Sequence, residues 1–318
     1  PPLKSDVLPG TETPVLTCDG GSDYTLRSTT DKSGPLLTSG NTGLELWHRG
    51  NDHPHCVCGT GKNTADSSHN KHTKVKWIGV TTLNDLPEGN YYLLENSYYY
   101  TGSPWTPVGH SNLCLNGHTY AARAYDYGPC VTIGNGVNAS ITDCSAEETG
   151  KFTHSYSYQG VKVAANATFT LWRGSISKFN AATSSSSPTS SRNGGGVHVQ
   201  SYKYNGYVNT ATVNLAGTTI QDNTAAKRGG GVYFNGDTQD VITASGVTTI
   251  TGNSSMNGTD NVYLVAGRTL SDNGLEEGSA IGVSGPNVPS LLVTGTDNAN
   301  GYFTADRVDA KLVAAEGG

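Results

Sequence analysis

GGGVHV at residues 194–199 and GGGVYF at residues 229–234 repeat one Gly-Gly-Gly-Val corner, and each is followed by a Thr-Ile-polar-Asn type of segment. A chain that repeats a corner and the strand behind it is counting turns. Working outward, Val131 (CVTI), Val161 (GVKV), Val197 (GVHV), Val232 (GVYF) and Val262 (NVYL) anchor short alternating strands at intervals of 30, 36, 35 and 30 residues. Between them runs a second strand series: SITDC at 140–144, ATFTLWRGSIS at 167–177, ATVNLAGTTIQDN at 211–223 and GVTTITGN at 246–253. Two or three strands per turn, turn residues between them and no helical spacing predict an all-β fold, a right-handed parallel β-helix (solenoid) with a small irregular N-terminal module.

Composition points the same way. The chain of 318 residues carries 41 Gly, one Met and 14% charged residues, and so lacks the Ala/Leu/Glu/Lys background of long helices. Its strand formers are Val, Ile, Thr and Tyr, with Gly and Asn where corners need positive φ. An apolar share of 35% is low for a globular domain but suits coils that each contribute a few inward side chains to one continuous core. The net charge of −6 and pI near 5.8 offer no basic stripe for nucleic acid or an anionic membrane. No run approaches the roughly 18 apolar residues of a membrane span. The opening PPLKSDVLPG lacks a signal-peptide pattern, so the expectation is a processed piece of a longer chain.

Four regions follow. Residues 1–52 form an irregular N-terminal segment dense in Pro, Gly, Ser and Thr, with apolar pieces at LTC and LELWH; residues 53–74 form a His/Cys-rich module. Residues 75–285 carry the coils, interrupted by the exposed loop ATSSSSPTSSRN at 182–193, and residues 286–318 supply closing strands. An open last coil presents unpaired edges and invites end-to-end self-association, so a cover is expected there.

The order HPHCVCG, HNKHTKVKWIGV, LPEGNYYLLEN, NLCLNGHTY, CVTIGNG, SITDCS, GKFTH, then GGGV-type coils, closing on NVYLVAGRTL and GSAIGVS, resembles the repeat-containing β-helix surface and secreted proteins of gut Firmicutes. The resemblance covers roughly residues 53–285. It implies an extracellular β-helix, secreted or attached to the cell wall, and no established reaction. One departure stands in the turn after Ile176: SKFN places Asn180 four residues on, whereas Asn223 and Asn253 fall three after Ile220 and Ile250. Asparagines repeated at one corner can bond to each other along the stack, and the extra residue is expected to break that ladder at Asn180.

The most chemically loaded stretch gathers His48, His53, His55, Cys56, Cys58, His69 and His72 within 25 residues. Thiolates and imidazoles are zinc ligands; Cys56, Cys58, His69 and His72 are the candidate set for a structural zinc, with His53 and His55 as substitutes. Disulfides to other cysteines, or reduced thiols, are the competing readings. Cys114 and Cys144 fall one turn apart; an inter-coil bridge and a buried reduced stack are equally compatible with that spacing. Cys18 has no obvious partner.

No catalytic residue stands out. The aspartates Asp222, Asp237, Asp240 and Asp260 occur singly in turns, where a carboxylate ordinarily caps backbone, and a glycoside hydrolase needs two facing each other. The Lys227-Arg228 pair reads as solvated charge beside a glycine corner. Tyrosines at 98–100, 125, 127, 156, 158, 202, 204 and 207 suit a glycan or a surface protein as partner, or else stabilise the sheet as cross-strand pairs. The expectation is a non-catalytic, adhesin-like or structural surface module; a polysaccharide lyase or glycoside hydrolase on a β-helix is the alternative.

Overall fold

The computed structural model describes residues 4–5, 16–17, 24–28, 44–48, 77–99, 104–122, 128–145, 148–154, 159–181, 193–200, 210–235, 241–286, 292–295 and 299–307. The chain divides into two compact units, Pro1–His55 and Cys56–Gly318. In the first, Lys4–Ser5 pairs antiparallel with Leu16–Thr17, and Tyr24–Ser28 with Leu44–His48. The remaining strands belong to the second unit. Among the described residues there is no helix, and so none long and apolar enough to cross a membrane.

The second unit is built from short strands that pair in parallel with their counterparts one turn of chain later. The first sheet stacks nine, from Ile78–Val80 and Asn90–Leu93 through His110–Cys114, Asn138–Thr142, Thr168–Trp172, Thr212–Ala216, Val241–Gly246 and Leu270–Leu275 to Val293–Thr294. A second series follows six of these in the chain, from Asn90–Leu93 to Val241–Gly246: Ser97–Tyr99, Thr119–Ala122, Lys151–His154, Ser175–Ser177, Thr219–Gln221 and Thr249–Thr251. The third comprises Pro129–Ile133, Gln159–Ala164, Val197–Gln200, Val232–Asn235 and Val262–Leu264. Its register runs Val131, Val161, Val197, Val232, Val262, the five anchor valines in order. At the last full turn, Ala280–Ser284 pairs both with Thr249–Thr251 and with Val262–Leu264, so the second and third series merge in one strand. The stacking continues past Gly285: Val293–Thr294 lies on Leu270–Leu275, and Phe303–Ala305 on Ala280–Ser284.

Alternation decides the core. On the third series Val161, Val163, Val197, Val199, Val232 and Phe234 are buried, and they meet Phe169, Leu171, Val213 and Leu215 from the first series and Ile176, Ile220 and Ile250 from the second. One cluster runs from Leu83 to Phe303. Burying each such side chain contributes roughly 1.5–3 kcal/mol, set against the entropy of ordering the coil. No turn holds enough apolar surface alone; stacking supplies the rest.

Two seams bind coil to coil. The glycine triplets form the first: Gly194 and Gly229 adopt positive φ, and a Cβ on Gly195 or Gly230 would lie within 2.4 Å of the Gly230 carbonyl or 2.2 Å of the Ser254 carbonyl. Only a residue without a side chain lets the backbones come this close. The second seam is an amide ladder. Asn223 donates from Nδ2 to Oδ1 of Asn253 at 2.9 Å, Asn253 donates likewise to Asn261 at 3.0 Å, and Asn261 donates to Oδ1 of Asp306 at 2.6 Å. At its other end the ladder stops at Phe179, whose backbone N–H donates to Oδ1 of Asn223, while Asn180 forms a bridge with Thr224. Ile176 aligns with Ile220 and Asn180 with Thr224 without a shift of register, so SKFN carries no extra residue, contrary to expectation; Phe179 stands at the rung position of Asn223, and Asn180 falls one place beyond it.

Candidate functional site

The zinc set of Cys56, Cys58, His69 and His72, with its substitutes His53 and His55, lies outside the described residues. Among the described residues no group of three or more His, Cys, Asp or Glu side chains is placed to hold a metal ion. Of the tyrosines singled out above, Tyr98 is exposed on Ser97–Tyr99; those at 100, 125, 127, 156, 158, 202, 204 and 207 fall outside the description.

Of the turn aspartates, Asp237 and Asp240 also fall outside it, while Asp222 is exposed at a positive-φ turn. Asp260 is buried with both oxygens engaged: Oδ2 accepts the Gly229 N–H at 2.9 Å and Oδ1 the Ser284 hydroxyl at 2.6 Å. That carboxylate fastens the glycine corner. A second buried carboxylate, Asp143, accepts from the N–H groups of Gly117, Ser145 and Gly150 and from the Ser145 hydroxyl, tying its own turn to the one before it.

Among the described residues, the outer side of the third series carries an organised set of side chains whose chemistry could reach beyond the fold. The residue after each anchor valine points away from the core, and strand register lines up Lys162, His198, Tyr233 and Tyr263 on successive coils. His198 is only 1% exposed. Its Nδ1 lies 2.6 Å from Nε2 of Gln159, which also donates to the Asn193 carbonyl. An amide nitrogen can only donate, so Nδ1 accepts and the imidazole is neutral. Burial, and then the charge of Lys162, lowers the His198 pKa to about 4.

The His198 ring meets Tyr233 edge-on, with centroids 5.4 Å apart, and Tyr233 stacks on Tyr263 at 5.9 Å and 11°. The Arg228 guanidinium lies over the Tyr263 ring, 5.0 Å from its centroid, so this side chain is packed on an aromatic face rather than simply solvated. Burial foremost, and Tyr263 next, raise the Tyr233 pKa, with Arg228 opposing. Stacking within the ladder occupies ring faces that a sugar would otherwise take. The aligned strings GVKV, GVHV, GVYF and NVYL carry this row at the position after the valine, on the face opposite the one that the valines bury.

No protein-family model, curated protein or solved structure matches the chain.

Proposed function

We propose that the chain is a right-handed parallel β-helix serving as a non-catalytic, structural module of an extracellular surface protein, secreted or attached to the cell wall. The observation that carries this reading is lengthwise bonding. Asparagine amides, the tyrosine stack with Arg228, and the carboxylates Asp143 and Asp260 all join neighbouring turns instead of converging on a cleft. A stack bonded along its length spaces or stiffens. The resemblance to surface proteins of gut Firmicutes supports the same setting.

An adhesin-like role is the second reading, favoured by the Lys162, His198, Tyr233, Tyr263 row, whose two tyrosines are half-buried on an outer face. The partner would then be a host or bacterial glycan or a surface protein. Incubating the purified chain with mucin and with plant and bacterial polysaccharides, and following both retention and released oligosaccharides, separates the cases. The structural module gives neither. Retention that Arg228→Ala abolishes would shift the assignment to an adhesin, and released oligosaccharides would overturn both in favour of a polysaccharide-active enzyme. Within this reading Cys56, Cys58, His69 and His72 are ligands of one structural zinc. Metal analysis of the chain and of Cys56→Ser tests that part separately, with zinc lost in the variant as the expected result.

A further inference from the structure

The three described cysteines do not stand in equivalent places. Cys130 lies in the main core. Cys114 closes the strand His110–Cys114, paired with Tyr92 on one side and Thr142 on the other. Its neighbours Leu113 and Leu115 point into the core, which turns Cys114 outward. Even so Cys114 is 0% and Cys144 4% exposed, because both belong to a second apolar cluster with Tyr92, against which Trp77 and Leu94 pack. The two sulfur atoms sit 2.7 Å apart across adjacent coils. A bond needs a further approach of only about 0.7 Å.

We propose that Cys114 and Cys144 are joined by a disulfide that rivets one coil to the next beneath the Tyr92–Trp77–Leu94 cover. The oxidant is a disulfide donor, a small-molecule or protein disulfide. The thiolate of one cysteine attacks the donor, forming a mixed disulfide and releasing one donor thiolate. The second cysteine, losing its proton to water, attacks the cysteine sulfur of that mixed disulfide and expels the other donor thiol. Two cysteine thiols thereby lose two electrons and two protons, and the donor disulfide becomes two thiols. The folded thiols are poor nucleophiles: hydrogen bonding to Cys114, and then burial, push the Cys144 thiol up. The bond therefore forms before the cover packs, and afterwards the same dry cluster keeps external thiolates away.

The test uses the whole chain, refolded in a mixture of reduced and oxidised glutathione, then alkylated in denaturant without reductant and digested with trypsin. The expected product is peptide 77–123 linked to peptide 124–151, with tandem mass spectrometry placing the bond at Cys144 and the alkyl group at Cys130. In buffer the link survives a concentration of dithiothreitol that cleaves it in urea, and its loss lowers the thermal midpoint by roughly 10 °C. Alkylation of both Cys114 and Cys144, or a bond from either to another cysteine, would overturn the proposal. The Cys144→Ser variant must lose the cross-linked peptide. If it does not fold, the wild-type peptide map still decides.

Discussion

Gln159 and His198 lie on adjacent coils with Nε2 and Nδ1 2.6 Å apart, the amide donating to the ring. A proton on Nδ1 would set two donors against each other, and burial, then the charge of Lys162, lowers the imidazole pKa to about 4, so the folded state holds this ring neutral. The unfolded chain binds that proton near pH 6.5. Stability is therefore complete above about pH 6.5 and falls as the pH drops towards 4, by about 2–3 kcal/mol from this group. His154, stacked on Phe179 and lowered by burial to about 4, adds a share over the same window. Urea midpoints at pH 7, 5 and 4 should show a shallower slope for His198→Gln than for the parent chain; equal slopes would count against the buried neutral imidazole.

Asn253 holds the middle of the amide ladder. Its Oδ1 accepts from both the backbone and the side chain of Asn223, and its Nδ2 donates to Ile220, Thr251 and Asn261. Truncation to alanine leaves several buried groups without partners, and the expected cost is about 2–4 kcal/mol. Asn257, whose amide makes an exposed bond to the Lys227 carbonyl, should tolerate alanine within about 0.5 kcal/mol. Equilibrium urea unfolding of the two variants side by side makes the comparison.

The glycine seam predicts a contrast between two Gly→Ala changes. At Gly230 the new methyl would meet the Ser254 backbone at 2.2 and 2.5 Å, and backbone cannot swing aside. The cost should reach about 3 kcal/mol or more. At Gly128 an added Cβ meets nothing within 4 Å and φ is not positive, so alanine there leaves the thermal midpoint unchanged within a degree or two. Circular dichroism melts read both.

Asp143 is the remaining polar knot. Both of its oxygens accept from N–H groups, and replacing one with an amide NH2 sets donor against donor whichever way the side chain turns. Asp143→Asn should destabilise the chain by about 2–3 kcal/mol at pH 7, measured by urea unfolding. A change below about 0.5 kcal/mol would mean the turns hold without it.

The valine anchors were legible because parallel stacking places identical positions of successive turns side by side, so a repeat in sequence becomes a contact in space. The isoleucine column of Ile176, Ile220 and Ile250 was legible for the same reason. What failed to show was whatever the period does not carry. Asn261 takes its rung only 8 residues after Asn253, and Asp306 takes the next 45 residues after Asn261, so the end of the ladder follows no spacing. Asp143 looks like any turn aspartate until its four donors are assembled around it. His198 alternates outward and should have been wet, yet it is buried, and a strand pattern records which side a residue takes, not what lies over that side.

Ala139 pairs with Phe169 after 30 residues, Phe169 with Val213 after 44, and Val213 with Ile242 after 29. The extra length of the middle interval passes through the ladder without moving a single partner. Distance along the chain is therefore not the ruler this molecule uses; each turn takes its measure from the surface of the one before it. Growth in such an architecture separates into two independent quantities, the number of turns, which the seams ration, and the girth of any one corner, which they leave open.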